Sequence, residues 1–129
     1  MLLKNLYRIT SENSIDENRF QTSIKIKKAN EIFKGHFPNN PILPGVALLE
    51  ICKQLLEKHL KQKLTLQKAS NLKFLAFINP NEDKELSFDF QTALEEKMFN
   101  IKILTSFTDG TAVLKCNATF VAIETKVSN

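Results

Sequence analysis

Residues 35–54 read GHFPNNPILPGVALLEICKQ. Three prolines, Pro38, Pro41 and Pro44, recur at even spacing and lead into an apolar helical pattern interrupted by one acid, Glu50. Proline fixes φ and removes an N–H donor, so this approach is stiff and forms few internal hydrogen bonds. Pro44 suits a helix start, where its missing N–H would have no partner. The spacing predicts a helix over 44–62, with Leu49, Cys52, Leu56 and Leu60 at helical intervals. From Val46 to Cys52 every residue but Glu50 is apolar, which predicts burial of this half on all sides. The charged second half, Lys53 to Lys63, is expected to emerge into water.

Outward from the helix the period changes. Residues 5–11 and 20–28 read as strands, with Ile24 and Ile26 alternating with lysines and the polar stretch SENSIDEN as their connection. Beyond the helix, strand patterns cover 66–78, 85–93, 97–107 and 111–123. Phe99, Ile101, Ile103 and Phe107 share one face, Asp109-Gly110 signals a hairpin, and the alternating pattern of 111–123 is expected to offer an edge for pairing with a second copy. The order β-β-α-β-β-β-β makes an α+β fold in which a long central helix is wrapped by a curved antiparallel sheet. At 129 residues and 43% apolar content, a single domain over 1–129 is expected.

Composition excludes several classes. No apolar run reaches the roughly 18 residues of a membrane helix, and MLLKNLYRIT lacks the features of a signal peptide. The expected location is cytoplasmic. Cys52 and Cys116 lie in apolar surroundings without CxxC spacing and read as buried free thiols. The net charge of +4 comes from scattered lysines not interleaved with aromatics. A solvated basic face, or an acidic protein partner, fits this better than nucleic acid.

His36 and Glu50 are the residues suited to proton transfer. Imidazole has the side-chain pKa nearest neutrality, and a stiff loop can hold it in place. The plainer reading of His36 is an imidazole satisfied by a backbone carbonyl. Glu50, flanked by Ala47, Leu48, Leu49, Ile51 and Cys52, would lose solvation, which disfavours a charged carboxylate unless a cation or donors compensate. Its plainer reading is a pair with Lys53, or an exit to solvent along the Glu50, Lys53, Gln54, Glu57 face. Gln54 lies one turn beyond Glu50, within hydrogen-bonding reach. Gly45 lies near the helix start, where N–H groups without intrahelical partners can bind a carbonyl oxygen or oxyanion and a missing Cβ permits close approach. A base, an acid and an oxyanion donor are the parts that eliminate water from a β-hydroxy thioester; spacing alone does not name that substrate. His59 reads as a surface or partly packed residue, and a metal site of His36, Glu50 and Cys52 lacks ligand spacing.

The string HFPNNPILPGVALLE resembles the signature of the FabZ/FabA family of 3-hydroxyacyl-[acyl-carrier-protein] dehydratases, which have the hot-dog fold. The resemblance runs from about residue 6 to 123, with its specific part in 35–54. It implies that His36 and Glu50 are catalytic, and that Gly45 and Gln54 serve substrate binding. A Glu at position 50 is similar to the FabZ type and implies dehydration without isomerisation. KFLAFINPNED (73–83) is a weaker echo of a family turn. Asn39 stands where Gly is common, Asn81-Glu82 replaces a Gly-Asp, and the chain is expected to enter directly in a strand. The resemblance implies a homodimer with His36 of one protomer facing Glu50 of the other, an acyl carrier protein as partner, no cofactor and no metal. The activity implied is formation of a trans-2-enoyl group in fatty acid or related polyene and lipid synthesis. Competing readings are a hot-dog thioesterase, which would not carry the His-Phe-Pro loop, and a non-catalytic acyl-binding subunit.

Overall fold

The computed structural model describes residues 5–28 and 41–123. In chain order the elements are β1 (Tyr7–Asp16), β2 (Arg19–Ile26), α1 (Gly45–Leu60), β3 (Leu64–Phe74), β4 (Glu85–Glu95), β5 (Met98–Phe107) and β6 (Ala112–Ala122). A short 3₁₀ turn, Pro80–Glu82, precedes β4. The strands form one sheet in the order β1-β2-β4-β5-β6-β3, and every neighbouring pair is antiparallel. The expected α+β layout of one helix and an antiparallel sheet is therefore present.

Alternation builds the inner face. In β4, Leu86, Phe88 and Phe90 are buried; in β5, so are Phe99, Ile101, Ile103 and Phe107, as their shared parity predicts. Val113, Leu114, Cys116, Ala118 and Phe120 continue the layer in β6. Against it α1 lays Ala47, Leu48, Ile51, Cys52, Leu55 and Leu56. This stripe lies beside the one expected from Leu49, Cys52, Leu56 and Leu60: Leu49 and Leu60 pack only at its margin. Both cysteines are free and buried. Burial pushes the Cys52 thiol up, with Cys116 adding to the shift.

The turns follow their local chemistry. Gly110 adopts φ +92°, a left-handed conformation that glycine takes without strain. Its N–H donates to the Phe107 carbonyl at 2.9 Å, and Asp109 Oδ1 accepts from the Thr111 N–H at 2.8 Å. The hairpin signal at Asp109-Gly110 is thus realised. At its other end α1 stops where Lys61 turns left-handed (φ 56°). Glu57 Oε2 then accepts from the Leu64 N–H at 2.8 Å, joining the helix to the start of β3.

Four expectations need correction. SENSIDEN is mostly strand: β1 runs to Asp16 and turns within Glu17-Asn18, where Asp16 Oδ1 accepts from the Asn18 N–H at 2.7 Å. Its outer half is exposed on both faces, so no apolar alternation marked it. The strand expected over 66–78 starts at Leu64 and ends at Phe74. The edge is also elsewhere. β6, expected to be available for pairing with a second copy, lies between β5 and β3, so the free edges are β1 and β3. Finally, the first half of α1 is not buried on all sides. Val46 is 63% exposed, because the sheet covers only one flank of the helix.

Candidate active site

Pro44 caps α1 in an extended conformation (φ −61°, ψ 145°). Its carbonyl accepts from the Ala47 and Leu48 N–H groups at 3.0 and 3.2 Å. The Gly45 and Val46 N–H groups have no intrahelical acceptor, as the first turn of a helix requires. No side chain caps this end, and the first turn holds no acid. It therefore offers two backbone donors and the positive end of the helix dipole. The segment feeding the helix is anchored where the Leu43 N–H donates to the Ile78 carbonyl at 2.9 Å.

Gly45 is pressed by an aromatic ring. A Cβ at this position would lie 2.9 Å from Cζ of Phe74 and 3.1 Å from its Cε1. A side chain at this position would therefore have to displace the Phe74 ring.

Glu50 follows just over one turn later. Its side chain retains 25% of its exposure, and Oε1 stands 3.7 Å from Nζ of Lys53. The carboxylate is therefore half-buried beside a cation, as the plainer reading of this residue anticipated. A pair at that separation is loose, so the carboxyl group is not locked away from a substrate. One further turn brings Gln54, whose Oε1 accepts from the Tyr7 hydroxyl at 2.9 Å. The structure thus sets Gly45, Glu50 and Gln54 in series along one helix. His36 lies outside the described residues, as do Phe37, Pro38, Asn39 and Asn40.

Several large apolar side chains are exposed in and after β3. Phe74, which lies against Gly45, is 48% exposed, Leu75 50% and Phe77 80%. On β3 Leu66 and Leu72 are also open. Sequence reasoning missed Tyr7. It is the chain's one tyrosine, but its contact with Gln54 spans 47 positions and leaves no local signal. His59 packs partly: its ring stacks on Phe20 with centroids 3.6 Å apart and planes at 10°.

Comparison with known proteins identifies the fold and the family. The ApeI dehydratase family model (ApeI-like) matches residues 11–113. The 3-hydroxyacyl-[acyl-carrier-protein] dehydratase FabZ of Lactococcus lactis is 28% identical over 119 residues, which is 87% of this chain and 78% of that protein. FabZ of Klebsiella pneumoniae is 50% identical over 40 residues, 30% of this chain and 26% of its own length. Among solved structures, the dehydratase heterocomplex ApeI:P from Xenorhabdus doucetiae superposes with a TM-score of 0.73 at 14% identity, covering 88% of this chain and 96% of that one. A hypothetical thioesterase from Streptococcus pneumoniae, solved with coenzyme A, gives a TM-score of 0.65 at 14% identity, with 94% and 88% covered. The structural likenesses establish the hot-dog fold; the family match covers most of the chain and goes further. This chain belongs to the ApeI-like dehydratase family.

Proposed function

We propose that the chain dehydrates a 3-hydroxyacyl thioester carried on an acyl carrier protein to the trans-2-enoyl thioester. The observation that carries this reading is the series on α1: the first-turn N–H groups of Gly45 and Val46, which have no intrahelical acceptor, then Glu50 beside a loose lysine partner, then Gln54. The thioester carbonyl is received by the helix-end donors, which stabilise the enolate-like charge as it forms. His36 removes the Cα proton. Glu50 donates a proton to the β-hydroxyl, the C–O bond breaks, and water departs as the Cα–Cβ double bond forms. His36 then holds the abstracted proton and Glu50 is a carboxylate; transfer back through solvent resets the pair. Gln54 contributes polar contact beside the reacting carbons.

The reading includes a dimer. β3 is an open edge carrying Leu66, Leu72 and Phe74, continued by Leu75 and Phe77. An exposed apolar edge is a template for another strand, and a second copy related by two-fold symmetry would cover both edges at once. The active sites then lie between protomers, His36 of one chain serving Glu50 of the other. The working compartment is the cytoplasm; no helix among the described residues is long and apolar enough to cross a membrane.

A thioesterase reading draws on the same fold, and the product distinguishes the two. Mass spectrometry of a 3-hydroxyacyl carrier protein incubated with the enzyme is expected to show loss of one water with the thioester intact. His36→Ala and Glu50→Ala each abolish that loss. Release of free acid, or full activity in His36→Ala, refutes the dehydratase assignment.

A further inference from the structure

Tyr7 joins the β1–β2 pair to the central helix. It opens β1, pairs with Ile26 at the end of β2, and is followed in that pairing by the Lys27 N–H donating to the Leu6 carbonyl at 2.7 Å. The chain leaves the sheet here, on its way to the His36 segment. From the same place the Tyr7 hydroxyl crosses to α1 and donates to Gln54 Oε1 at 2.9 Å. The ring packs against the core.

In this bond the phenol donates and the amide oxygen accepts. Burial first, then the Cys52, Glu50 and Glu57 side chains, push the phenol up to about 12. It stays protonated throughout the working range and always has a proton to donate. A glutamine amide presents one acceptor oxygen and one nitrogen with two donors. With Oε1 taken by Tyr7, the Nε2–H donors are left for an acceptor elsewhere. Without the hydroxyl the amide can rotate, and either end can face the reacting groups.

We propose that Tyr7 is a positioning residue: its hydroxyl sets the orientation of the Gln54 amide, and through it the donor offered beside Glu50. The inference rests on the reading of Glu50 and Gln54 as site residues. Tyr7 touches no reacting atom. It acts by holding Oε1 of the amide toward β1.

The test compares Tyr7→Phe, Gln54→Ala and the double variant in the intact protein, with a 3-hydroxyacyl thioester substrate and with Glu50→Gln as reference. Tyr7→Phe is expected to keep its melting temperature within a few degrees, lose about tenfold in kcat with KM changed less than about twofold, and displace the acidic limb of the kcat–pH profile. Adding Tyr7→Phe to Gln54→Ala should cost nothing more, since the two act as a unit. Wild-type kcat and pH profile in Tyr7→Phe, or additive losses in the double variant, overturn the inference. A second readout does not depend on the fate of Tyr7→Phe. The chain has one Tyr and no Trp, so the long-wavelength near-UV band, beyond the phenylalanine absorption, reports Tyr7 alone. Gln54→Ala should shift that band in the folded protein, and an unchanged band overturns the contact. An inactive Glu50→Gln beside an unaltered Tyr7→Phe removes only this inference. An active Glu50→Gln removes the site reading itself.

Discussion

The ring of Phe74 on the edge strand lies against the backbone of Gly45 at the start of the helix, close enough to leave no room for a Cβ. Gly45→Ala must therefore displace the ring. Phe74 is half exposed and can swing outward, and alanine is the better helix former by up to ~1 kcal/mol. Stability should change by less than about 1 kcal/mol, while dehydration falls at least about tenfold as the helix-end donors are crowded. Pairing the change with Phe74→Leu should recover part of the activity. Steady-state kinetics and thermal melts of the three variants check this.

The proposed sharing of each site between two protomers makes a complementation test available. Mixed dimers of His36→Ala and Glu50→Ala chains hold one site with both lesions and one with neither. They are expected to regain about half of wild-type activity per dimer by symmetry. If heterodimers form by native mass spectrometry and remain inactive, the two residues act within one chain.

Lysines and arginines together outnumber acids on this chain, 18 to 14, leaving a net charge of +4. An acidic carrier protein should be drawn by that field. Raising salt should then increase KM for the carrier-linked substrate severalfold while leaving a small thioester mimic nearly unaffected. Equal sensitivity of both substrates excludes electrostatic recruitment.

His59 gives a pH dependence of stability whose sign can be worked out. Burial against Phe20, opposed by the nearby Glu12 charge, holds its pKa below the ordinary imidazole value. The unfolded chain takes up a proton near pH ~6.5, and the folded chain only at lower pH. The stabilising contribution is thus present above ~6.5 and is lost as pH falls through the folded pKa. Denaturant melts at about pH 7.5 and about pH 5.5 should show a smaller drop for His59→Gln than for wild type. A drop of the same size in both removes His59 from the acid sensitivity.

Thr105 is fully buried on β5, and its hydroxyl has no hydrogen-bond partner among the described residues. Thr105→Val exchanges an unsatisfied polar group for a methyl group of similar shape. Stability should rise by about 1 kcal/mol, as a buried unpaired hydroxyl costs roughly that much. A chemical denaturation midpoint unchanged or lowered would contradict this.

The deep core was legible because burial there follows a single period. Phe99, Ile101, Ile103 and Phe107 announce their face by parity, and Asp109-Gly110 announces the turn that follows. The outer part of β1 was not legible. Ser11 to Asp16 are exposed on both faces, and polar alternation with polar carries no pattern. Val46 misled for the opposite reason: its apolar neighbours predict burial, but one chain's sheet cannot wrap the whole helix. At the candidate site, the sequence placed Gly45, Glu50 and Gln54 on one helix, and α1 holds all three. Tyr7 could not be placed in this way, since a side-chain hydrogen bond between a strand and a helix depends on the finished fold.

The position of β3 in the sheet has a consequence for how the chain is made. β3 emerges directly after the helix, yet its one neighbour in the sheet is β6, the last strand to be synthesised. Until Ala112–Ala122 has left the ribosome, β3 is unpaired on both sides, with Leu66, Leu72 and Phe74 uncovered. Vectorial synthesis therefore cannot close this sheet progressively from one end. The strand that borders the site is among the earlier parts to be made and among the last to be placed, so a nascent chain truncated before β6 is the species that holdase chaperones should recognise most strongly.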